Sequence, residues 1–124
     1  MNALENIYTF KTRNFKVTVD AMEEPYPDFS FDETGETKMM IEKGDWICFA
    51  AKATLSFRGM EIANDFLGQC FYENTRDFRD HFGIKKHKNV GSYFSQMIRN
   101  VISEGRNTLA LIPQNIKQQT HKTK

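Results

Sequence analysis

Catalysis and metal binding need particular side chains within reach of one another, so the histidines and cysteines are placed first. His81, His87 and His121 have no second His or Cys at a metal-ligand spacing, and none sits in a nucleophile motif such as GxSxG. They read as surface histidines, because nucleophilic catalysis requires a base within hydrogen-bond reach of its nucleophile. Cys48 and Cys70 make neither a CxxC pair nor a disulfide framework. Both read as thiols, Cys70 as a small buried hydrophobe. No catalytic residue, cofactor or metal is assigned, and a binding protein is expected rather than an enzyme.

Carboxylates are concentrated in residues 20–36, where Asp20, Glu23, Glu24, Asp28, Asp32, Glu33 and Glu36 occur without one Lys or Arg. From Asp28 to Glu36 the run has the acids and the glycine of a calcium loop, but an EF-hand needs oxygen donors at alternate positions before its glycine. Ser30 and Thr34 offer only hydroxyls and Phe29 and Phe31 offer nothing, so calcium is not expected. The acids read as a solvated loop, and the functional alternative is a decoy surface that imitates phosphates before a nucleic-acid-binding protein. A basic run, Lys85-Lys86-His87-Lys88, leads into Gly91-Ser92 at an expected helix N-terminus, where free N–H groups and the helix dipole favour an anion. Its plainer reading is a solvated linker, because no RNA or DNA motif and no interleaved exposed aromatics accompany it. The candidate partner-binding residues are therefore Glu23, Glu24, Asp28, Asp32, Glu33, Glu36, Lys85, Lys86 and Lys88.

The elements that must position these residues follow from periodicity. Phe15, Val17 and Val19 alternate with Lys16, Thr18 and Asp20, which places a first strand or short hairpin within 8–19. Pro25 and Pro27 exclude regular structure around them. A short helix from Gly35 to Lys43 has Asp32 or Thr34 as its cap, Met40 and Ile41 turned inward, and Gly44 as its stop. Trp46 to Tyr72 reads as two long strands joined at Arg58-Gly59, whose glycine accepts φ > 0. An uninterrupted register from that turn puts Ile47, Phe49, Ala51, Ala53, Leu55 and Phe57 on one core face with Met60, Ile62, Asn64, Phe66, Gly68 and Cys70. Lys52 then opposes Asp65, Ser56 opposes Glu61, and Trp46 opposes Phe71. Asn64 becomes a buried amide or a bulge marker. In this register Leu55→Asp or Phe66→Asp unfolds the protein, because an unpaired charge is buried. Cys48 and Cys70 leave the sheet on opposite faces and cannot bond within one chain.

Asn74 starts a two-turn helix carrying Phe78 and Phe82, with Gly83 as its stop. The main helix, at about 92–110, has Ser92 as N-cap and an apolar stripe of Phe94, Met97, Ile98, Val101, Ile102 and Gly105. Residues 114–124 lack apolar pattern and read as a polar basic tail without fixed structure. The fold class is α+β: an antiparallel sheet of three or four strands with two or three helices, forming one domain over 1–113. A chain of 124 residues with 40% hydrophobic content, including 11 Phe, is enough for one core. The longest nearly apolar stretch, Trp46 to Ala51, is far shorter than the roughly 20 residues that span a bilayer. Met1 to Tyr8 lacks the basic and apolar regions of a secretory signal, so a cytoplasmic location is expected. Residues 1–84 carry a net charge of −6 and residues 85–124 one of +7, a polarity suited to an electrostatically oriented partner.

The strings Asp65-Phe66-Leu67-Gly68-Gln69-Cys70-Phe71-Tyr72-Glu73, Asp77-Phe78 and Gly91-Ser92-Tyr93-Phe94-Ser95-Gln96-Met97-Ile98-Arg99 resemble small uncharacterised proteins of bacterial phages and mobile elements. The resemblance covers about a third of the chain, and these strings fall on expected strands and helices, so they carry no catalytic role across. The resemblance implies a setting in which proteins of this size block host defence, including anti-CRISPR proteins that occlude a nucleic-acid channel or a docking surface. The expected partner is a host defence protein or ribonucleoprotein complex. The alternative is a small DNA- or RNA-binding regulator that uses the basic C-terminal half.

Overall fold

Four strands with alternating apolar and polar residues, β1 (Ala3–Lys11), β2 (Phe15–Glu23), β3 (Ile47–Phe57) and β4 (Met60–Tyr72), pair in chain order as an antiparallel sheet. Three helices complete the α+β fold: α1 (Glu36–Lys43), α2 (Thr75–Asp80) and α3 (Tyr93–Thr123). The computed structural model describes residues 3–80 and 93–123, and side chains as far as 111. The expected Phe82, Gly83 and Ser92 signals, with Lys85, Lys86 and Lys88, lie outside the described residues.

The hairpin of β3 and β4 turns on Arg58 (φ 50°) and Gly59 (φ 84°), and two positive φ angles suit the strands' right-handed twist. Its turn is fastened to the β1–β2 turn, since Arg58 N–H donates to Asn14 O at 2.8 Å. Both turns therefore lie at one end of the sheet. One face packs on α3 through Val17, Val19, Ala21, Phe49, Ala51, Ala53, Leu55, Ala63 and Cys70, against Phe94, Met97 and Val101. Alanines on the central strands let the helix come close, and so does Gly105, where a Cβ would collide with Leu55 Cδ2. Beside the small residues, Phe78 stands edge-on to Phe49 (5.6 Å between centroids), Tyr72 (5.2 Å) and Phe94 (6.1 Å). Such edge contacts add about 0.5–1.5 kcal/mol each beyond the buried area.

The uninterrupted register of the hairpin is corrected by two bulges in β4. Phe57 pairs with Met60 and Ser56 with Glu61, but Leu55 pairs with Ala63, and beyond Ala51–Leu67 the register slips again to Phe49–Cys70. One extra residue turns every following side chain over, and a second turns them back. Between the bulges Ala63 and Leu67 face α3, while Asn64 and Phe66 point outward. Phe66 is 46% exposed, so Phe66→Asp buries no charge, and Met60 is 70% exposed. Lys52 opposes Phe66 rather than Asp65 and pairs with Glu61 at 3.9 Å. Ile47 opposes Tyr72, and Trp46 precedes the strand. Past the second bulge parity is restored, so Cys70 is buried on the α3 face and Cys48 stays on the other, both free.

Asn74 caps α2 as expected, its Oδ1 accepting from Asp77 N–H at 2.9 Å. Helix α3 exceeds the apolar stripe: its backbone stays helical through Pro113 to Thr123, where composition predicts an unstructured tail. A helical proline removes one hydrogen bond, and the Gln and Lys residues that follow favour helix.

Candidate binding surface

The acidic segment after β2 is built as a strap across the sheet. Glu24 follows β2, yet its Oε2 accepts from Gln69 N–H on β4 at 3.2 Å, so the chain crosses the intervening β3. It crosses on the face away from α3, where Phe29 and Phe31 stack on Phe71 at 5.6 and 5.2 Å. Ala50, on this same face, is fully buried. The second β4 bulge makes the crossing fit. Gln69 has φ 56°, and a Cβ on neighbouring Gly68 would lie 3.2 Å from Glu24 Oε2. The Gln69 amide then clamps the strap on either side of Pro27, its Oε1 accepting from Asp28 N–H at 2.7 Å and its Nε2 donating to Tyr26 O at 3.3 Å.

The candidate acids divide by what they touch. Glu24 holds the bulge. Asp28 Oδ1 accepts from Ser30 N–H at 2.9 Å, and this bond to the charged form holds its carboxyl below the usual carboxylate range. Asp32 accepts from Thr37 and Lys38 N–H at 3.3 and 3.0 Å and Thr34 Oγ1 from Glu36 N–H at 3.3 Å, so both side chains bond first-turn amides of α1, but the N-cap position itself is Gly35 rather than either of them. Met40 and Ile41 are half-buried, and no α1 residue is fully buried. Glu23, Glu33 and Glu36 are exposed beside the strap. All six candidate acids, Glu23, Glu24, Asp28, Asp32, Glu33 and Glu36, lie on the strap or at its two ends on β2 and α1.

Sequence reasoning missed the strap's most prominent side chain. Tyr26 is 84% exposed although its backbone is fixed by Gln69 and flanked by Pro25 and Pro27. Phe31 and Met39 are exposed as well. The Pro-Tyr-Pro string held the signal, because prolines restrict a loop that presents an aromatic ring.

Burial pushes the Cys70 thiol up to about 12, and burial with the nearby Glu24 charge pushes Cys48 up to about 11. Neither is a thiolate near neutral pH. A polar cavity of about 440 Å³ lies between β1 and α2. Within its walls Thr75 Oγ1 donates to Glu5 Oε1 at 2.9 Å, and Arg79 pairs with Asp80 at 2.9 Å. Asn64 is an exposed amide donating to Glu61 Oε2 at 3.1 Å, which corrects its expected place in the core. Among the described residues every buried side-chain nitrogen and oxygen has a partner, and no three His, Cys, Asp or Glu residues are arranged to hold a metal. No helix among them is long and apolar enough to cross a membrane. No family model, curated protein or solved structure matches the chain.

Proposed function

We propose that this chain is a non-catalytic binding protein of phage or mobile-element origin that inhibits a host defence nucleoprotein by occluding a protein surface with its strap. The observation that carries the reading is Tyr26, 84% exposed on a backbone that Gln69 and two prolines hold still. Large solvent-exposed rings on fixed backbone are what interface anchors are made of, because little ordering entropy is lost on binding. The exposed Glu23, Glu33 and Glu36 on the same acidic segment favour a partner surface rich in Lys and Arg, as the surface of a nucleic-acid-binding protein is. The resemblance to phage accessory proteins supplies the defence setting. The alternative, a small DNA- or RNA-binding regulator, rests on the basic C-terminal half, of which Lys85, Lys86 and Lys88 lie outside the described residues.

The test is phage plaquing on a host whose CRISPR nucleoprotein targets that phage, with the protein expressed in the host. Wild-type protein is expected to restore plaques and Tyr26→Ala to lose most of the effect at equal expression, since a hot-spot tyrosine contributes about 2 kcal/mol or more. Met60→Ala, at the other end of the sheet, should behave as wild type. Equal activity of the Tyr26 and Met60 variants, or no restoration by wild type, would overturn the reading.

A further inference from the structure

At the end of the sheet opposite the strap, an apolar recess lies between the sheet and α3. Gly105 lets the helix come down onto Leu55 there. Ile102 and Leu109, on the adjoining turns of the helix, join Phe10, Phe15, Val17 and Leu55 in walling a cavity of about 260 Å³. Phe10 reaches it because its pairing with Val17 puts both on the α3 face. Val17 and Leu55 are buried, whereas Phe10 is 53% exposed, so the cavity runs from the core outward to solvent. Two polar side chains, Thr12 and Arg106, complete the lining, and both can donate. Thr12 Oγ1 already accepts from Phe15 N–H at 3.1 Å, which leaves its own proton for another acceptor. Arg106 is exposed and belongs to neither ion pair among the described residues, Lys52–Glu61 and Arg79–Asp80. Among those residues no carboxylate lines the cavity.

We propose that this cavity binds a small amphiphilic carboxylate, its apolar body between Phe10, Leu55, Ile102 and Leu109 and its head on Arg106 and Thr12. Small-molecule sites are built in this way, from apolar walls with a few convergent polar groups that decide which head is accepted. Here a guanidinium fork and a hydroxyl proton call for a group that only accepts and carries negative charge. A cationic head is repelled by Arg106, and an uncharged one leaves that cation unanswered. Volume sets the body: a cavity of roughly 150 Å³ holds the six carbons of benzene, so this one holds about ten at the same density. The site shares no residue with the strap, so the two can be lost separately.

Octanoate, octanol and octylammonium share one chain and differ in the head, so they are the probes, titrated below micelle formation and followed by the methyl resonances of the protein. Octanoate should move the methyls of Val17, Leu55 and Ile102 to saturation and leave Ile47, at the far end of β3, in place. Octanol should bind about tenfold more weakly, because only the carboxylate makes a charge-assisted bond to Arg106, and octylammonium more weakly still. Arg106→Gln should cost octanoate that factor and leave octanol as it was, whereas Phe10→Ala should weaken both alike. Both side chains are exposed, so matched melting temperatures are expected. Tyr26→Ala should bind octanoate as wild type does. Naphthoate in place of octanoate separates a ring from a chain, and a preference for either acid supports the proposal and assigns the shape of the body. Four results would each overturn it: shifts that never saturate, equal binding of the three heads, unchanged octanoate binding in Arg106→Gln, or cavity methyls that move with protein concentration alone, as a second copy filling the cavity would make them.

Discussion

At the scale of single residues, Gln69 joins the strap to the sheet. Its backbone amide and both ends of its side-chain amide are bonded to Glu24, Asp28 and Tyr26, and its left-handed φ of 56° exists because the bulge turns it toward them. Gln69→Ala keeps the backbone bond and removes the two side-chain bonds, which lie near solvent, so the expected loss is about 1 kcal/mol. Hydrogen exchange gives the sharper readout: the Asp28 amide should exchange faster in the variant, while Val19 in the core is unchanged. The thiols make a second residue-scale case. Cys48 is half-buried and Cys70 buried, on opposite faces. Free-thiol counting in denaturant under non-reducing conditions should return two per chain, and in the folded protein a thiol reagent should modify Cys48 well before Cys70. An intrachain disulfide would contradict the register directly.

At the scale of elements, β4 shows what a sequence can and cannot specify. The alternation of β3 is legible because Phe49, Ala51, Ala53 and Leu55 all face α3 as the pattern requires, and the α3 stripe and Asn74 cap were equally plain. Of the bulges, the first had one local hint, the polar Asn64 on the expected core face, while nothing in Gly68-Gln69 demands the second. The second answers to a strap that arrives from more than forty residues earlier, and only tertiary contact reveals it. The corrected register is checked by a pair of variants. Ala63→Asp should abolish folding, because Ala63 is 3% exposed, whereas Phe66→Asp should cost about 1 kcal/mol or less by urea denaturation. Gly105→Ala tests the contact of α3 with the sheet. Better helix propensity offers about 1 kcal/mol, but overpacking against Leu55 costs about 1–3 kcal/mol, so a net loss is expected. Adding Leu55→Val, which removes the colliding methyl, should make the double variant more stable than the sum of the single ones.

At the scale of the whole molecule, the charge polarity read along the sequence is reorganised by the meander. The first 84 residues are acidic in sum, yet the turn end of the sheet holds Lys11, Arg13, Lys16 and Arg58, because antiparallel pairing brings positions 11–16 beside position 58. That cluster was not legible in windows of sequence, although two turns meeting at one end follow from any four-stranded meander. Stability is likewise a property of the whole, and its alkaline limit follows from three neutral acids within the fold. Burial, the largest cause for each, raises Cys48 from 9.0 to about 11, Cys70 from 9.0 to about 12 and Tyr72 from 10.0 to about 12. Above pH 9 the unfolded chain releases protons that the folded chain retains, so the unfolded state binds fewer protons and stability falls as pH rises. The contribution of these groups is therefore complete below about pH 9 and lost progressively toward pH 12. Urea midpoints at pH 8, 9.5 and 10.5 should decline above pH 9, and the decline should be shallower in Cys48→Ala/Cys70→Ala, which keeps only the tyrosine. The difference between the two proteins, rather than the decline itself, isolates the thiols. Parallel curves would assign the alkaline loss to other groups and detach the buried thiols from it.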